Sequence, residues 1–261
     1  MESNPLVYFI GAGPGALDLM TVRAQRIIQE ADLILYADSL VHPGIAELAR
    51  PGVRVEGTAG MALPEIVGRM VEAARAGRTV ARVHSGDPSL YGAIREQMVA
   101  LAAEGIEYAV VPGVSSVFGA AAALAVELTL PEVSQTLILS RIDGRTPVPE
   151  GQRLRELASH RATLALYLSV GMIERVVVEC EEGGYPPETP VAVVYRATWP
   201  DQRIVRGTLS GIAAAVRAEG IDRQALILVG EALRLVGQGE GEAVSRLYDP
   251  GFEHGYRGTR G

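Results

Sequence analysis

The chain has 261 residues, of which 48% are hydrophobic and 21% charged, and its formal net charge is −7. This is enough chain for one large or two ordinary domains with a well-filled core. The acidic charge and an aromatic content of only 5% argue against a nucleic-acid-binding surface. No apolar run is long enough to span a bilayer, and the first residues do not show the basic and then apolar pattern of a signal peptide. We therefore expect a cytoplasmic protein without a membrane segment.

Two residue types limit the chemistry. All 24 basic residues are arginine. Without lysine, the chain can form neither a pyridoxal-phosphate Schiff base nor a P-loop. The single cysteine, Cys180, excludes an internal disulfide and a multi-cysteine metal site, and we expect no metal. Cys180 lies in an apolar helical pattern, which predicts that it packs in the core.

In the first half of the chain, apolar runs of strand length alternate with longer helical patterns. Strands are predicted at residues 6–10, 33–36, 53–56, 79–83 and 108–111. Helices are predicted at residues 21–31, with Thr21 as N-cap, 63–76, 90–103, and from Ser115 or Ser116 to Ala125. This α/β alternation predicts a mostly parallel sheet covered by helices.

The pattern changes after Thr129. Residues 129–149 contain three prolines and read as a connector with one strand at 136–139. A second α/β run follows, with strands at 163–168, 191–195, 203–206 and 226–229 and helices at 172–182 and 210–218. The adjacent strands near Val191 and Ile204 indicate an antiparallel pair and therefore a mixed sheet. The predicted division is an N-terminal α/β domain, 1–129, a C-terminal α/β domain, 130–236, and an extended tail, 237–261.

A glycine loop, residues 11–16, follows the first strand. Gly11, Gly13 and Ala16 match the dinucleotide fingerprint loosely, and Asp32 or Asp38 stands about 20 residues on, which suggests an NAD-dependent oxidoreductase as one hypothesis. However, proline lacks an N–H group at residue 14, and the helical pattern starts only at about residue 21. The loop is therefore poor in donors for a pyrophosphate, although its backbone can approach a neutral or cationic ligand.

Two further loops follow the fourth and fifth strands, at residues 84–92 and 111–116. Ligands of open α/β sheets bind outside the carboxyl ends of the strands, so these loops join the glycine loop as candidates. Asp87 could accept a hydrogen bond from a ligand, or it could cap a helix that starts near Ser89. His84 could donate to a substrate, or it could be a satisfied, partly buried histidine.

Several motifs, which follow one another along the chain, resemble the signatures of one protein family. Residues 7–15, 85–88 and 112–116 resemble successive signatures of the tetrapyrrole (corrin/porphyrin) methylases, and residues 163–168, 195–198 and 224–230 agree. The resemblance is collinear over roughly residues 6–233. Residues 35–41, 84–92, 127–136 and 245–250 further resemble the members that methylate precorrin-4 at C11. The sequence departs from the usual pattern at Ala16 and Leu17, which replace Asp-Pro, and at Asp38, which replaces a glycine.

The resemblance implies two α/β domains with S-adenosyl-L-methionine (SAM) as co-substrate in a cleft between them. It implies direct methyl transfer to a ring carbon, with no protein nucleophile or metal. The residues that it matches to SAM contacts are Pro14, Ser85, Gly86, Asp87, Leu90, Ser115, Ser116, Leu168, Ala197 and Ala225.

The implied substrate is a tetrapyrrole polycarboxylate, and the family suggests a homodimer. Arginines could hold the carboxylates, with solvated surface arginine as the alternative; the candidates are Arg141, Arg145 and Arg196. The candidates to hold the macrocycle or accept a proton are Asp38, His84, Tyr91 and Arg95. Methylation of cobalt-precorrin-4, of another precorrin or of uroporphyrinogen is the neighbouring reaction, and a non-catalytic tetrapyrrole carrier is a further hypothesis.

Overall fold

Two five-stranded sheets organise the protein in a computed structural model that describes residues 6–234 and Ser245. The described residues divide into two compact units. The first unit takes in the described residues up to Ala120 together with the separate segment Arg196–Gln202. The second takes in Ala121–Tyr195 and the described residues from Arg203 onward.

The first sheet is entirely parallel. Its strands are β1 (Val7–Gly11), β2 (Leu33–Tyr36), β3 (Arg54–Gly57), β4 (Val80–His84) and β5 (Tyr108–Val111). They lie in the order β3-β2-β4-β1-β5. Helices cover a parallel sheet on both faces, so a central strand such as β1 is apolar throughout, and Phe9 and Ile10 on opposite faces are both fully buried. The predicted parallel sheet is confirmed, and the carboxyl ends of β4, β1 and β5 lie side by side.

Four helices accompany this sheet: α1 (Val22–Glu30), α2 (Leu63–Arg75), α3 (Arg95–Ala103) and α4 (Ser116–Leu124). Thr21 caps α1 as predicted, because its side-chain oxygen accepts a hydrogen bond from the Ala24 N–H at 3.2 Å. Short 3-10 helices lie at Leu17–Leu19 and Pro43–Leu48.

The third helix begins later than predicted. It starts at Arg95, whereas the apolar spacing had predicted a start at Leu90. Tyr91 and Ala93 have left-handed backbones, with φ of 55° and 48°. A right-handed helix cannot contain such residues, so the chain turns twice before α3 begins. Ile94, the residue directly before α3, is buried, so the apolar spacing of this stretch includes a core residue that lies outside the helix.

The second sheet is mixed, as predicted. Its strands are β6 (Leu137–Ser140), β7 (Thr163–Leu166), β8 (Pro190–Tyr195), β9 (Arg203–Thr208) and β10 (Ala225–Val229). The order is β6-β7-β10-β8-β9, in which only the β6–β7 pair is parallel. The predicted antiparallel pair is β8–β9, with Val193 opposite Val205.

The helices of the second unit are α5 (Leu154–Ala158), α6 (Ile173–Glu182) and α7 (Leu209–Ala218), with 3-10 helices at Val170–Met172 and Glu231–Leu233. The sequence did not predict α5, because five residues are too few to display a helical period. The predicted tail, residues 237–261, lies outside the described residues apart from Ser245, and the domain boundary at residue 129 stays a prediction. In the part of the chain that the structure describes, every helix is too short or too polar to cross a bilayer.

Cys180 on α6 is fully buried in the core of the second unit, as predicted. Burial raises the pKa of its thiol to about 12, with smaller contributions from Glu179 and Glu181. Because the thiolate is the reactive form, we expect the folded protein to be inert to a disulfide reagent at pH 8. Colorimetric thiol titration should then detect one thiol per chain after denaturation, and a fast reaction of the native protein would contradict this burial.

Candidate functional site

The loops that follow β1 and β4 are paired with each other through their backbones. The Gly13 N–H donates to the Gly86 carbonyl at 3.2 Å, and the Gly86 N–H donates to the Gly13 carbonyl at 2.8 Å. These bonds form an isolated antiparallel bridge at the carboxyl edge of a parallel sheet. Both glycines have left-handed backbones, with φ of 81° and 62°, which glycine adopts without steric cost.

Glycine is also required where the β1 and β5 ends meet. A Cβ at Gly113 would lie 2.1 Å from the Gly86 carbonyl oxygen and 2.7 Å from the Gly11 Cα. A Cβ at Gly11 would lie 2.5 Å from the same oxygen. Three backbones therefore touch directly, and they leave no space for a side chain between them.

Asp87 ties the loop after β4 to the loop after β5. One carboxylate oxygen accepts a hydrogen bond from the Ser89 N–H at 2.8 Å, and the other accepts one from the Gly113 N–H at 2.9 Å. The alternative role, as cap of a helix near Ser89, is wrong because α3 begins only at Arg95. The carboxylate instead closes a local turn and fixes a neighbouring strand end.

The double acceptor role of Asp87 is tested by Asp87→Asn. An amide keeps one acceptor oxygen, but its NH2 group would face one of the two N–H donors. The bond to Ser89 is exposed and the bond to Gly113 is partly buried, so we expect the loss of one such bond to lower the free energy of unfolding in urea by about 1 kcal/mol. The control is Asp222→Asn, whose side chain is 79% exposed. Equal unfolding free energies for the two variants would contradict the role of Asp87.

Most N–H groups that the glycine loop could donate to a pyrophosphate already form hydrogen bonds within the protein. The Ala12 N–H donates to the His84 carbonyl at 2.8 Å, the Gly13 N–H is bonded to the loop after β4, and the Ala16 N–H donates to Thr198 Oγ1 at 3.0 Å. Pro14 has no N–H. The loop also leads into a 3-10 helix rather than into α1, so no helix dipole faces it.

The two aspartates that the dinucleotide hypothesis assigns to the ribose are already bonded within the protein. Asp32 pairs with Arg50 at 2.9 Å and accepts the Thr79 N–H at 2.9 Å. Asp38 accepts the Ala59 N–H at 2.7 Å, and its carboxylate occupies the space where a Cβ of Gly57 would lie. This geometry argues against the dinucleotide-dependent oxidoreductase, and it shows that Asp38 joins the loop after β2 to the end of β3.

Other sequence-predicted SAM contacts of the first unit gather around these loops. Ser85, Leu90 and Ser116 are partly exposed, whereas Pro14 and Ser115 are buried. The Pro14 ring packs beside α4, since a Cβ at Gly119 would lie 2.7 Å from it. Ala197 is 5% exposed and belongs to the segment Arg196–Gln202, which packs with this unit.

The second unit carries the remaining two predicted contacts. Leu168 is 68% exposed and has a left-handed backbone with φ of 56°. An exposed leucine on a strained backbone is unusual and typical of a ligand-facing position. Ala225 is the first residue of β10 and is partly exposed.

Of the four candidates for proton transfer or macrocycle binding, only His84 is buried. It is 4% exposed, and its Nε2 has no partner among the described residues. Burial, assisted by the nearby Arg82, lowers the pKa of His84 to about 3, so the imidazole is neutral at physiological pH. Tyr91 and Arg95 are exposed, on the turn before α3 and at its first residue.

Arg82 is a buried cation that the sequence interpretation missed. It is 4% exposed, and burial lowers its pKa to about 10 while Asp38 opposes the shift. Its Nε donates to the Gln97 side-chain oxygen at 3.0 Å, and Gln97 in turn donates to the Ala93 carbonyl at 3.0 Å. An arginine within an apolar strand pattern was the available signal, and its role here is to fix α3 and the turn before it.

The three arginines considered as ligands of the substrate carboxylates differ in the bonds that they already form within the protein. Arg141 donates to the carbonyls of its own connector, including those of Thr146 at 3.1 Å and Pro147 at 2.9 Å. Arg196 pairs with Asp201 at 2.7 Å. Arg145 is exposed.

Trp199 is the functional candidate that sequence interpretation missed altogether. Its Nε1 donates to the Pro14 carbonyl at 3.2 Å, and its ring packs against Gly15. The signal was its position, because the only tryptophan of the chain directly follows the recognised motif at residues 195–198. Across the described residues, no group of three or more His, Cys, Asp or Glu side chains is placed to hold a metal ion.

Comparisons with known proteins identify the family. The family model of the tetrapyrrole (corrin/porphyrin) methylases matches residues 6–213. A cobalt-precorrin-4 C(11)-methyltransferase of Methanocaldococcus jannaschii is 51% identical over 257 residues, which cover 98% of each chain. A precorrin-4 C(11)-methyltransferase of Pseudomonas aeruginosa is 52% identical over 251 residues, or 96% of this chain and 98% of the relative.

Solved structures give the same result. The X-ray structure of a cobalt-precorrin-4 methyltransferase, a cobalamin biosynthetic enzyme, has a TM-score of 0.86 at 52% identity, covering 88% of this chain and 96% of that chain. A uroporphyrin-III C-methyltransferase from Thermus thermophilus, complexed with S-adenosylhomocysteine, has a TM-score of 0.72 at 30% identity, covering 87% and 98%. The joined glycine loops, the two sheets and the family match over most of the chain lead to one conclusion: this chain belongs to the tetrapyrrole (corrin/porphyrin) methylase family.

Proposed function

We propose that this protein transfers the methyl group of SAM to C11 of precorrin-4 in cobalamin biosynthesis. The observation that carries the proposal is the junction of three strand-end loops, at Gly11, Gly86 and Gly113, through direct backbone contact and the Asp87 carboxylate. The near full-length similarity to C(11)-methyltransferases supports the choice of substrate carbon.

The chemistry of the loops fits SAM better than it fits a phosphate ligand. The N–H groups of Ala12, Gly13 and Ala16 are already bonded, whereas the Asp87 carboxylate brings a negative charge to these loops. Oxygen acceptors suit the ammonium, the ribose hydroxyls and the sulfonium of SAM, and a dianionic pyrophosphate would need donors.

We assign the SAM contacts as the family resemblance implies. Ser85, Gly86, Asp87 and Leu90 surround the methionine end and the ribose. Ser115, Ser116 and Pro14 complete the contacts of the strand-end loops. Ala197, Leu168 and Ala225 are the proposed contacts of the adenine, where small or apolar side chains leave backbone groups to recognise the base.

Methyl transfer requires little chemistry from the protein. A ring electron pair at carbon 11 forms the bond with the methyl carbon, and the sulfur–methyl bond breaks with its electron pair staying on sulfur. The macrocycle takes over the positive charge and releases one proton to water. The protein supplies alignment of the two reactants, which can contribute about 7–11 kcal/mol in favourable cases. Because positive charge on sulfur is neutralised in this step, exclusion of water by the loops also favours it.

Isotope labelling tests the proposal directly. The purified protein is incubated with precorrin-4, or in parallel with cobalt-precorrin-4, and with SAM labelled with carbon-13 at its methyl group. We expect NMR to place the label at C11, and the faster arm identifies the metal state of the substrate. Label at another carbon, or precorrin bound without any methylation, would overturn the proposal, the latter in favour of a carrier.

We further propose that the enzyme works as a cytoplasmic homodimer. Family resemblance supports the dimer, and the similarity to biosynthetic enzymes of cobalamin supports the location. Sedimentation equilibrium should give twice the chain mass of 27.7 kDa. A mass of one chain at micromolar concentration would reject the dimer.

A further inference from the structure

Two side chains of the segment Arg196–Gln202 hold the glycine loop by hydrogen bonds. The Ala16 N–H donates to Thr198 Oγ1 at 3.0 Å, across 182 residues of sequence. Trp199 Nε1 donates to the Pro14 carbonyl at 3.2 Å, across 185 residues. Residues 14–16 lie outside the helices and strands, so these bonds replace the support that regular secondary structure would give.

The same segment also packs directly on the loop. A Cβ at Gly15 would lie 2.1 Å from Trp199 Cδ1 and 2.4 Å from Trp199 Nε1, so the indole edge rests against the bare backbone. The Pro14 ring also lies against Gly119 of α4, with the Thr198 methyl close by. The loop is therefore in contact with both the segment and α4.

Trp199 is itself held in place. The Arg196 guanidinium lies over the indole, 4.9 Å from its centroid, and is paired with Asp201 at 2.7 Å. The His42 ring lies 4.9 Å from the indole on a tilted plane. An aromatic side chain with two such neighbours loses little further freedom when it holds another group.

The backbone of the segment is strained in a way that presents these side chains. Arg196 and Thr198 have left-handed φ values of 45° and 69°, which non-glycine residues rarely adopt. The Thr198 N–H is stabilised by a bond to the Gln202 side-chain oxygen at 2.7 Å. Strain that surrounding contacts maintain is typical of functional positions.

We propose that Thr198 and Trp199 are positioning residues, which hold residues 14–16 in the conformation that SAM binds. The inference rests on the proposed function, because it assigns these residues to the SAM site. Ordering a flexible loop on binding weakens affinity, so a loop ordered in advance binds more tightly. The role predicts an effect on SAM affinity and not on the transfer step once SAM is bound.

Three variants separate this role from general stability. Thr198→Val keeps the shape but removes the acceptor for the Ala16 N–H, whereas Thr198→Ser keeps the acceptor and serves as the matched control. Trp199→Phe keeps an aromatic ring but removes the donor to the Pro14 carbonyl. Calorimetry gives the Kd for SAM, and initial rates give KM and kcat.

We expect Thr198→Val and Trp199→Phe each to raise the Kd and KM for SAM about fivefold, as for the loss of one hydrogen bond. Thr198→Ser should stay within about twofold of the wild type, and kcat at saturating SAM should change less than KM in all three. In the free protein, hydrogen exchange at the Ala16 amide should be faster in Thr198→Val than in Thr198→Ser. If Thr198→Val fails to fold, Trp199→Phe decides the result.

The outcomes distinguish the two proposals. If the wild type binds SAM and both Thr198→Val and Trp199→Phe bind it with the same Kd, the positioning role is overturned. The proposed methyltransferase activity would be unaffected by that result. A fall in kcat with no change in KM would also overturn it. A wild-type protein that does not bind SAM would overturn the proposed function, and the positioning role with it.

Discussion

Replacing Gly113 with alanine should separate the strand-end loops and largely abolish SAM binding. The added Cβ would lie 2.1 Å from the Gly86 carbonyl oxygen and 2.7 Å from the Gly11 Cα. Both neighbours are backbone atoms, so no side chain can rotate to make room. Overpacking of this kind costs about 1–3 kcal/mol, and we expect the upper end of that range or more. Thermal melting and SAM calorimetry measure the two effects.

Gly60→Ala is the matched control for this substitution. A Cβ at Gly60 would meet no atom within 4 Å, and its backbone is not left-handed. We therefore expect a wild-type melting temperature and SAM affinity for Gly60→Ala. If Gly113→Ala also melted and bound SAM as the wild type does, the direct contact of the three backbones would be refuted.

Stability should fall steeply below pH 6.5 because of His84. Burial lowers its pKa in the folded protein to about 3, from 6.5 in a solvated histidine. Between these values the unfolded chain binds a proton that the folded protein does not, so unfolding is favoured as the pH falls. The loss is about 2 kcal/mol at pH 5 and grows until the pH reaches about 3.

Urea denaturation of His84→Gln across this range isolates the effect of this histidine. The variant should lose less stability than the wild type between pH 6.5 and pH 4, since its side chain cannot be protonated. His160→Gln, at an exposed position, controls for the loss of a histidine and should keep the wild-type slope. Identical slopes for the wild type and His84→Gln would show that His84 is protonated equally in both states.

The elements that the sequence predicted well are those with a complete local signal. The strands β2 and β5 have the predicted bounds, and Thr21 caps α1 as predicted. Each depends on apolar periodicity or capping chemistry within a few residues. The start of α3 was predicted wrongly, because the left-handed turn at Tyr91 and Ala93 has the same apolar spacing as a helix.

The candidate site was predicted as a set of loops but not as an arrangement. The motifs identified Gly11, Asp87 and Ser115, and parallel topology explains why strand ends carry them. Which atoms join the loops could not be predicted. The Asp87 carboxylate bonds an N–H 26 residues away, and Trp199 bonds a carbonyl 185 residues away. Contacts between residues so far apart in the chain produce no periodic pattern of apolar or polar residues that could predict them.

By itself, the sequence determined the two α/β sheets, the family and the absence of lysine and disulfide chemistry, because these follow from local periodicity, ordered motifs and composition. Only the tertiary structure decided that Asp87 joins two loops and that His84 is neutral. It also decided that Thr198 and Trp199 form hydrogen bonds to the glycine loop. Those properties depend on burial and on groups brought together from distant parts of the chain. Neither exists until the chain has folded.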